Sequence, residues 1–394
     1  MDPHKHDRIM DVNPTPLGLS RLLYAFSYGT VFELQRVKAG RVPTHRLWGL
    51  VELRALGWEV EVSPELPLCW KPLGIMGWRV WQTFWLLRSE KASAGIVAVH
   101  EISALLLLLS RAFGRGGVPV VVLNLGLLHP KNCSGYRLWI WRWLLRRADV
   151  VVSLVEAHGA ELTRLFGVDA HRTMFLPMAV DPTFLGRADA ALEKKFVLAV
   201  GTNDGKDFET LLEALPLGAR LVVVTDSYNA RKVRGHPCFG GLIELREAVS
   251  AEALRELYMG AAVVVIPLAE TPHGSGHTVL LETMSMGKIV VVTGTRCMRD
   301  YTSARGRLLS VPVGDVAALR AILVETLEHP ERFCEMRERA AAQVRSTFHI
   351  RQFGEGLDRI IKELAAARSG GAASCAGVES NKKKEGEKSY ASVS

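Results

Sequence analysis

The stretch GSGHTVLLETMSMGK, Gly274 to Lys288, lies between two runs of branched apolar residues, VVVIP and IVVVT. A carboxylate, Glu282, stands in a segment that is otherwise Thr, Val, Leu and Met, and a Ser-Gly-His turn opens it. Between two buried strands such a segment reads as a helix. Its start offers free backbone N–H groups and the positive end of the helix dipole, a combination that binds phosphate. Glycines at 274 and 276 let the backbone approach a ligand closely. Ser275, Gly276, His277, Thr278 and Val279 are therefore candidate binding residues. Glu282 follows Thr278 by one turn and is expected to face the same crevice rather than the core. A carboxylate there accepts two hydrogen bonds from vicinal hydroxyls, as a ribose offers. The plainer alternative is a glutamate that only interacts with the dipole of its own helix.

A second stretch, VGTNDGKDFETLLEAL, runs strand, glycine-rich turn, helix, with Gly201 at the end of the strand FVLAV and Lys206 in the turn. A lysine at the carboxyl end of a strand is placed to neutralise a phosphate; the alternative is a solvated surface lysine. Neither GxGxxG nor GxxxxGK[ST] occurs, so no nicotinamide fingerprint and no P-loop is present. No Asp-x-Asp stands at a strand end. No bound metal and no cofactor is expected.

The elements that must carry these groups are legible along the chain. The 394 residues suggest two domains, and 48% hydrophobic content gives each a core. Twelve short apolar runs alternate with helical patterns: LLYAF, WEVEV, IVAV, VVVLNL, VVVSL and MFLP, then FVLAV, RLVVV, LIEL, AAVVVIP, KIVVV and LLSV. Near-continuous apolar strands separated by helices imply parallel sheets covered on both faces. Two such series imply an α/β chain of two doubly wound, Rossmann-like domains, with ligands outside the carboxyl ends of the strands. The expected division is a flexible N-terminus over 1–18, a first domain over 19–186, a second over 187–368 and a lysine-rich disordered tail over 369–394. The end of the second domain, FGEGLDRIIKELAAA, is expected to reach back toward the first.

The net charge of +8 favours an anionic partner. The six widely spaced cysteines form no CxxC pair, which reads as a reduced, cytoplasmic protein. No transmembrane helix is predicted.

Taken together, VGTNDGKDFETLLEAL, VSAEALRELYMGAAVVVIPL and SGHTVLLETMSMGKIVVVTG resemble the second half of the retaining glycosyltransferases of family four. HRLWGLVELRALGWEVEV, RRADVVVSLVEAHGAEL and FLPMAVDPTFL are similar to landmarks of the first half. The resemblance covers roughly residues 20 to 350. It implies the GT-B fold, two Rossmann-like domains facing a central cleft, and transfer of a hexose-type sugar from a nucleotide-diphosphate sugar with retention and without metal. By the same resemblance Lys206 contacts the donor diphosphate, the amides of Gly276 to Val279 bind the same phosphates, and Glu282 binds the donor ribose. The chain departs from the family twice. The first glutamate, eight positions before the second, is Gly274 here, with Glu270 out of register, and the basic residue after the strand glycine is Thr202.

The first domain is expected to hold the acceptor, a glycan or a lipid-linked molecule. His129 in NLGLLHPKN is the catalytic candidate there, beside His100 and the loop SYGT. The segments GYRLWIWRWLLRRAD and GIMGWRVWQTFWLLR interleave tryptophan with arginine, a mix suited to an anionic membrane surface and to peripheral attachment at the inner or cytosolic face. The same pattern also fits packing helices whose arginines reach water. No nucleic-acid motif accompanies it. The departures at Gly274 and Thr202 also fit a non-catalytic GT-B protein that binds a nucleotide sugar or a partner; a further alternative is another GT-B enzyme, such as a sugar-nucleotide epimerase.

Overall fold

The computed structural model describes residues 21–65, 74–188, 196–202, 204–303 and 306–368. The expected flexible N-terminus over 1–18 and the lysine-rich tail over 369–394 lie outside the described residues. The first sheet comprises β1 (Arg21–Ala25), β2 (Glu59–Val62), β3 (Gly95–Val99), β4 (Val120–Asn124), β5 (Val150–Ser153) and β6 (Thr173–Phe175). The second comprises β7 (Phe196–Val200), β8 (Arg220–Thr225), β9 (Ile243–Glu247), β10 (Val263–Ile266), β11 (Ile289–Thr293) and β12 (Leu309–Val311). Every pairing is parallel. Parallel neighbours require a crossover, and helices supply it on both faces. That is why β3, β4, β5, β7, β10 and β11 are buried at every residue and read as unbroken apolar runs rather than as alternating ones.

The strand orders are β2-β1-β3-β4-β5-β6 and β12-β11-β10-β7-β8-β9. Winding therefore reverses between β1 and β3 in the first sheet and between β7 and β10 in the second. At such a reversal the adjoining loops diverge and leave a crevice outside the carboxyl ends of the strands. In the second sheet the two diverging loops are the turn that carries Lys206 and the turn that carries Ser275 and Gly276.

Each sheet is sealed on both faces. Leu86, Leu107, Leu108 and Leu144 cover one face of the first, and Leu47, Leu50 and Leu53 cover the other. Leu280, Leu281, Met284 and Tyr258 cover one face of the second, and Leu211, Leu212, Leu319 and Leu323 cover the other.

The helix formed by residues 350–368, assigned by sequence to the second domain, packs with the first. Phe353, Leu357, Ile360 and Ile361 join Leu47, Leu50 and Leu53 in one cluster, and Trp58 Nε1 donates to Asp358 Oδ1 at 2.7 Å. The chain crosses back beside the first crossing: Ile350 N donates to Val180 O at 2.7 Å and Val180 N to Phe348 O at 2.9 Å. Gly354 makes the docking close, because a Cβ there would overlap Glu52.

Candidate active site

Two adjoining cavities open where the domains face each other. The larger, about 610 Å³, is lined from the first domain by Tyr28, Gly29, His45, Arg46 and Trp48 and from the second by Val249, Leu254, Tyr258, Thr278, Val279 and Glu282. The smaller, about 360 Å³, is lined by Gly201, Lys206, Thr225, Ser275, Gly276, Thr278 and Val279. Thr202, Val249, Leu254, Thr278 and Val279 border both, so the two spaces are neighbours over the first turn of one helix, His277–Ser285.

That helix starts at Gly276, whose backbone is left-handed with φ +84°. A Cβ at this position would press on Ile266 Cγ2 at 2.8 Å, so glycine is needed on both counts. Lys206 Nζ donates to Ser275 Oγ at 2.7 Å. Gly201 lies beneath the lysine stem, and a Cβ there would overlap Lys206 Cε. The strand glycine is thus what lets the ammonium reach the helix start. Burial pulls the Lys206 ammonium down to about 8. An ammonium, a hydroxyl and a helix N-terminus thus meet on one small cavity, a combination chemically suited to an anion.

Glu282 lies at the other end of this turn. It lines the larger cavity, as its spacing predicts, yet it is only 8% exposed and both oxygens are engaged. The Tyr258 hydroxyl donates to Oε2 at 3.0 Å. His45 Nε2 stands 3.2 Å from Oε1. His45 comes from the first domain, and its tautomer is fixed from behind: Asp181 N donates to its Nδ1 at 3.0 Å, so Nε2 carries the proton and faces the carboxylate. The expectation of a carboxylate merely facing a crevice is corrected accordingly. Glu282 is the meeting point of a buried polar chain that spans both domains.

His129 and His277 take different places. His129 sits on the first-domain wall after β4, outside both cavities. Its Nε2 is bonded to Asp204 Oδ2 at 3.1 Å, its ring centre is 4.9 Å from that of His273, and His273 Nε2 lies 3.4 Å from Asp204 Oδ1. The His277 side chain turns away from the site to Cys297 O at 2.9 Å, and burial pulls it down to about 4, so it is neutral. Only its main chain is available to a ligand. Its ring occupies the space beside Gly274, where a Cβ would meet Cε1 at 2.5 Å. The glycine that replaces the expected first glutamate is thereby tied to this histidine. His100 caps its own helix, Glu101–Ala112, with Nδ1 accepting from Ile102 N at 3.3 Å. Glu270 accepts from Arg296 N at 3.1 Å and lines neither cavity.

Sequence reasoning missed His45, Tyr258, Asp204 and His273. A turn signal marks 204 and 273, but nothing in the local sequence marks His45 or Tyr258, whose roles exist only once the domains face each other.

Two family models match in tandem: Glycosyltransferase Family 4 over residues 47–184 and Glycosyl transferases group 1 over residues 194–329. Together with the two facing sheets they make this chain a glycosyltransferase of the GT-B type. Its first domain is of the family-four kind and its second of the group 1 kind. No curated protein matches it by sequence. Among solved structures it is similar in fold to sucrose-phosphate synthase of Thermosynechococcus elongatus. The identity is 17% and the TM-score 0.69, over 88% of this chain and 99% of that one. HepE of Anabaena, in complex with UDP and glucose, gives 14% and 0.65 over 87% and 99%. A glycosyltransferase from Rickettsia africae ESF-5 gives 12% and 0.63 over 87% and 98%.

Proposed function

We propose that this chain moves a hexose-type sugar from a nucleotide-diphosphate sugar to an acceptor hydroxyl, with retention of configuration and without a metal ion. The observation that carries the reading is the arrangement along one helix start. An ammonium–hydroxyl pair, Lys206 and Ser275, stands at its N-terminus, and a carboxylate, Glu282, stands one turn further on in the adjoining cavity. This matches the order of groups in a nucleotide sugar. The diphosphate lies at Lys206, Ser275 and the amides of Gly276 to Val279, the ribose at Glu282, and the base in the larger cavity near Val249 and Leu254. The structural relative HepE is known with UDP and glucose bound, which supports a uridine donor as the first to try.

The chemistry asks little of side chains. Departure of the nucleotide diphosphate is helped by Lys206 and the helix dipole, charge placed where charge develops. Retention fits attack from the face the leaving group vacates, with no enzyme nucleophile. The transferred sugar extends past the phosphates toward His129, Asp204 and His273. The acceptor lies on the first-domain wall. Helices Gly74–Ser89 and Gly135–Leu145 contain no acidic residue and expose Ile75, Met76, Phe84, Tyr136 and Trp139 beside arginines, which favours a lipid-linked acceptor at an anionic membrane face over a free glycan. Among the described residues no helix is long and apolar enough to cross a membrane.

Gly274, with His277 packed beside it, favours a second reading, a protein that binds a nucleotide sugar without turning it over. One experiment separates the two. The purified chain is incubated with UDP-, GDP- and ADP-sugars and a lipid-linked acceptor, with and without EDTA, and the product is read by mass and by anomeric configuration. Transfer with retention that EDTA leaves unchanged supports the first reading. Saturable binding with no product across the panel supports the second.

A further inference from the structure

His129, Asp204 and His273 stand together at the cleft with the spacing of a metal-ligand set. Their ligating atoms all lie within 4.8 Å of one another. His129 belongs to the first domain and the other two to the second. Two imidazoles and a carboxylate are the donor set of an open zinc-type site, three protein ligands with the remaining position free. A second observation sets the trio apart from a surface cluster. Both ring nitrogens of His273 are shielded from solvent; Nδ1 has no hydrogen-bond partner, and Nε2 meets only the Asp204 carboxylate, at 3.4 Å.

We infer that the cleft holds a divalent transition-metal site of the zinc class at His129, Asp204 and His273, and that an ion bound there pins the two domains together. The ligand atoms need little movement. His129 Nε2 and His273 Nε2 already lie 3.1 Å and 3.4 Å from the two oxygens of Asp204, close to the separation of neighbouring ligands around one tetrahedral ion with bonds of about 2.0–2.1 Å. One rearrangement is required. His129 Nδ1 accepts from Lys131 N at 3.2 Å, so its Nε2 now carries the proton. Binding moves the ring to the other tautomer: Nε2 gives up its proton to solvent, Nδ1 takes one, and the Lys131 contact is released. His273 Nδ1 has no outer partner, which lowers affinity by about 10–100-fold relative to a fully supported histidine ligand. The site is therefore a weak, reversible one rather than a structural zinc.

If the donor lies as proposed above, the ion occupies the place of the transferred sugar, so zinc inhibits while the transfer itself needs no metal. Ion binding stands on the trio alone and is measured without donor or acceptor.

The test uses the full chain with ZnCl2 in calorimetry and CoCl2 in visible absorption. The expected result is one ion per chain, a tetrahedral Co2+ spectrum that Zn2+ abolishes, and loss of both in His129→Ala and in His273→Ala. Two ligands from two domains must each be needed, which a casual surface site would not show. His273→Asn keeps a polar group of similar reach and separates loss of a ligand from loss of fold. No binding of either ion overturns the inference, as does binding that survives both alanine variants.

Discussion

His45 Nε2 faces Glu282 Oε1 at 3.2 Å from the opposite domain, with Asp181 holding the imidazole from behind and the Tyr258 hydroxyl on the other carboxylate oxygen. The carboxylate that the proposal gives to the ribose is thus held in place by both halves of the molecule. Domain position and donor binding meet in one side chain. His45→Ala removes a proton donor from a buried carboxylate, which costs about 1–3 kcal/mol when the partner is left uncompensated. The expected outcome is a lower melting temperature and weaker nucleotide-diphosphate binding by calorimetry, with His45→Gln recovering part of both. Affinity unchanged in both variants would show that the contact is packing alone.

Lys206→Ala should weaken nucleotide-diphosphate binding by about 1.5–3 kcal/mol, the range for a charge-assisted contact. Binding to the wild-type chain should also weaken as pH rises through about 8, where the ammonium is lost, and the variant should show no such step. The stability sign follows from the same group. Its folded value lies below the ordinary lysine value, so between about 8 and about 10.4 the unfolded chain holds more protons. Relative to Lys206→Met, the wild-type chain should therefore gain stability as pH rises through that window. A falling difference would contradict the burial of this ammonium.

Gly201→Ala places a methyl group where the lysine stem runs. It should reproduce the binding loss of Lys206→Ala although it removes no polar group. The double variant should be no worse than either single one, because both act on the same ammonium. Additive losses in titration calorimetry would mean that the glycine serves the ligand directly.

Gly354→Ala tests the return of the last helix to the first domain. The added Cβ has no room against Glu52 and should cost about 1–3 kcal/mol as an overpacked contact, seen as a lower thermal midpoint. An unchanged midpoint would mean that residues 350–368 sit less closely on the first domain.

The central strands were legible because each is buried on both faces and therefore written as an unbroken apolar run, the same signal at β4 as at β11, whereas outer strands such as β2 (EVEV) and β9 (IELRE) are partly exposed and carry charged residues. The cluster proposed to hold the diphosphate stood out for a related reason: Gly201, Lys206, Ser275 and Gly276 sit in two short turns whose glycines and polar residues contrast with the strands around them. His45 carried no such contrast. It lies in a short 3-10 turn, Thr44–Leu47, among ordinary residues, and its place opposite Glu282 depends on how two separately folded sheets meet. Tyr258 reads as one more apolar residue of an amphipathic helix, Ala251–Gly260, and only its hydroxyl, aimed at Glu282, gives it a second role. The position of residues 350–368 was half legible. The pattern marks a helix, but the partner that buries its apolar face lies hundreds of residues earlier in the chain.

Glu282→Gln tests the donor-site account most directly, through the affinity for UDP, GDP and ADP measured by calorimetry on the wild-type and variant chains. The amide keeps the shape and can still accept from Tyr258, but it loses the charge and turns either an N–H or a weaker acceptor toward His45 and the ribose. Stability is expected to fall in either case, since the carboxylate is bonded within the protein, so the melting temperature alone does not decide. The account predicts that one nucleotide diphosphate binds the wild-type chain and that its affinity drops about tenfold or more in the variant, the equivalent of 1.4 kcal/mol. Lost stability with the nucleotide affinity unchanged would contradict it.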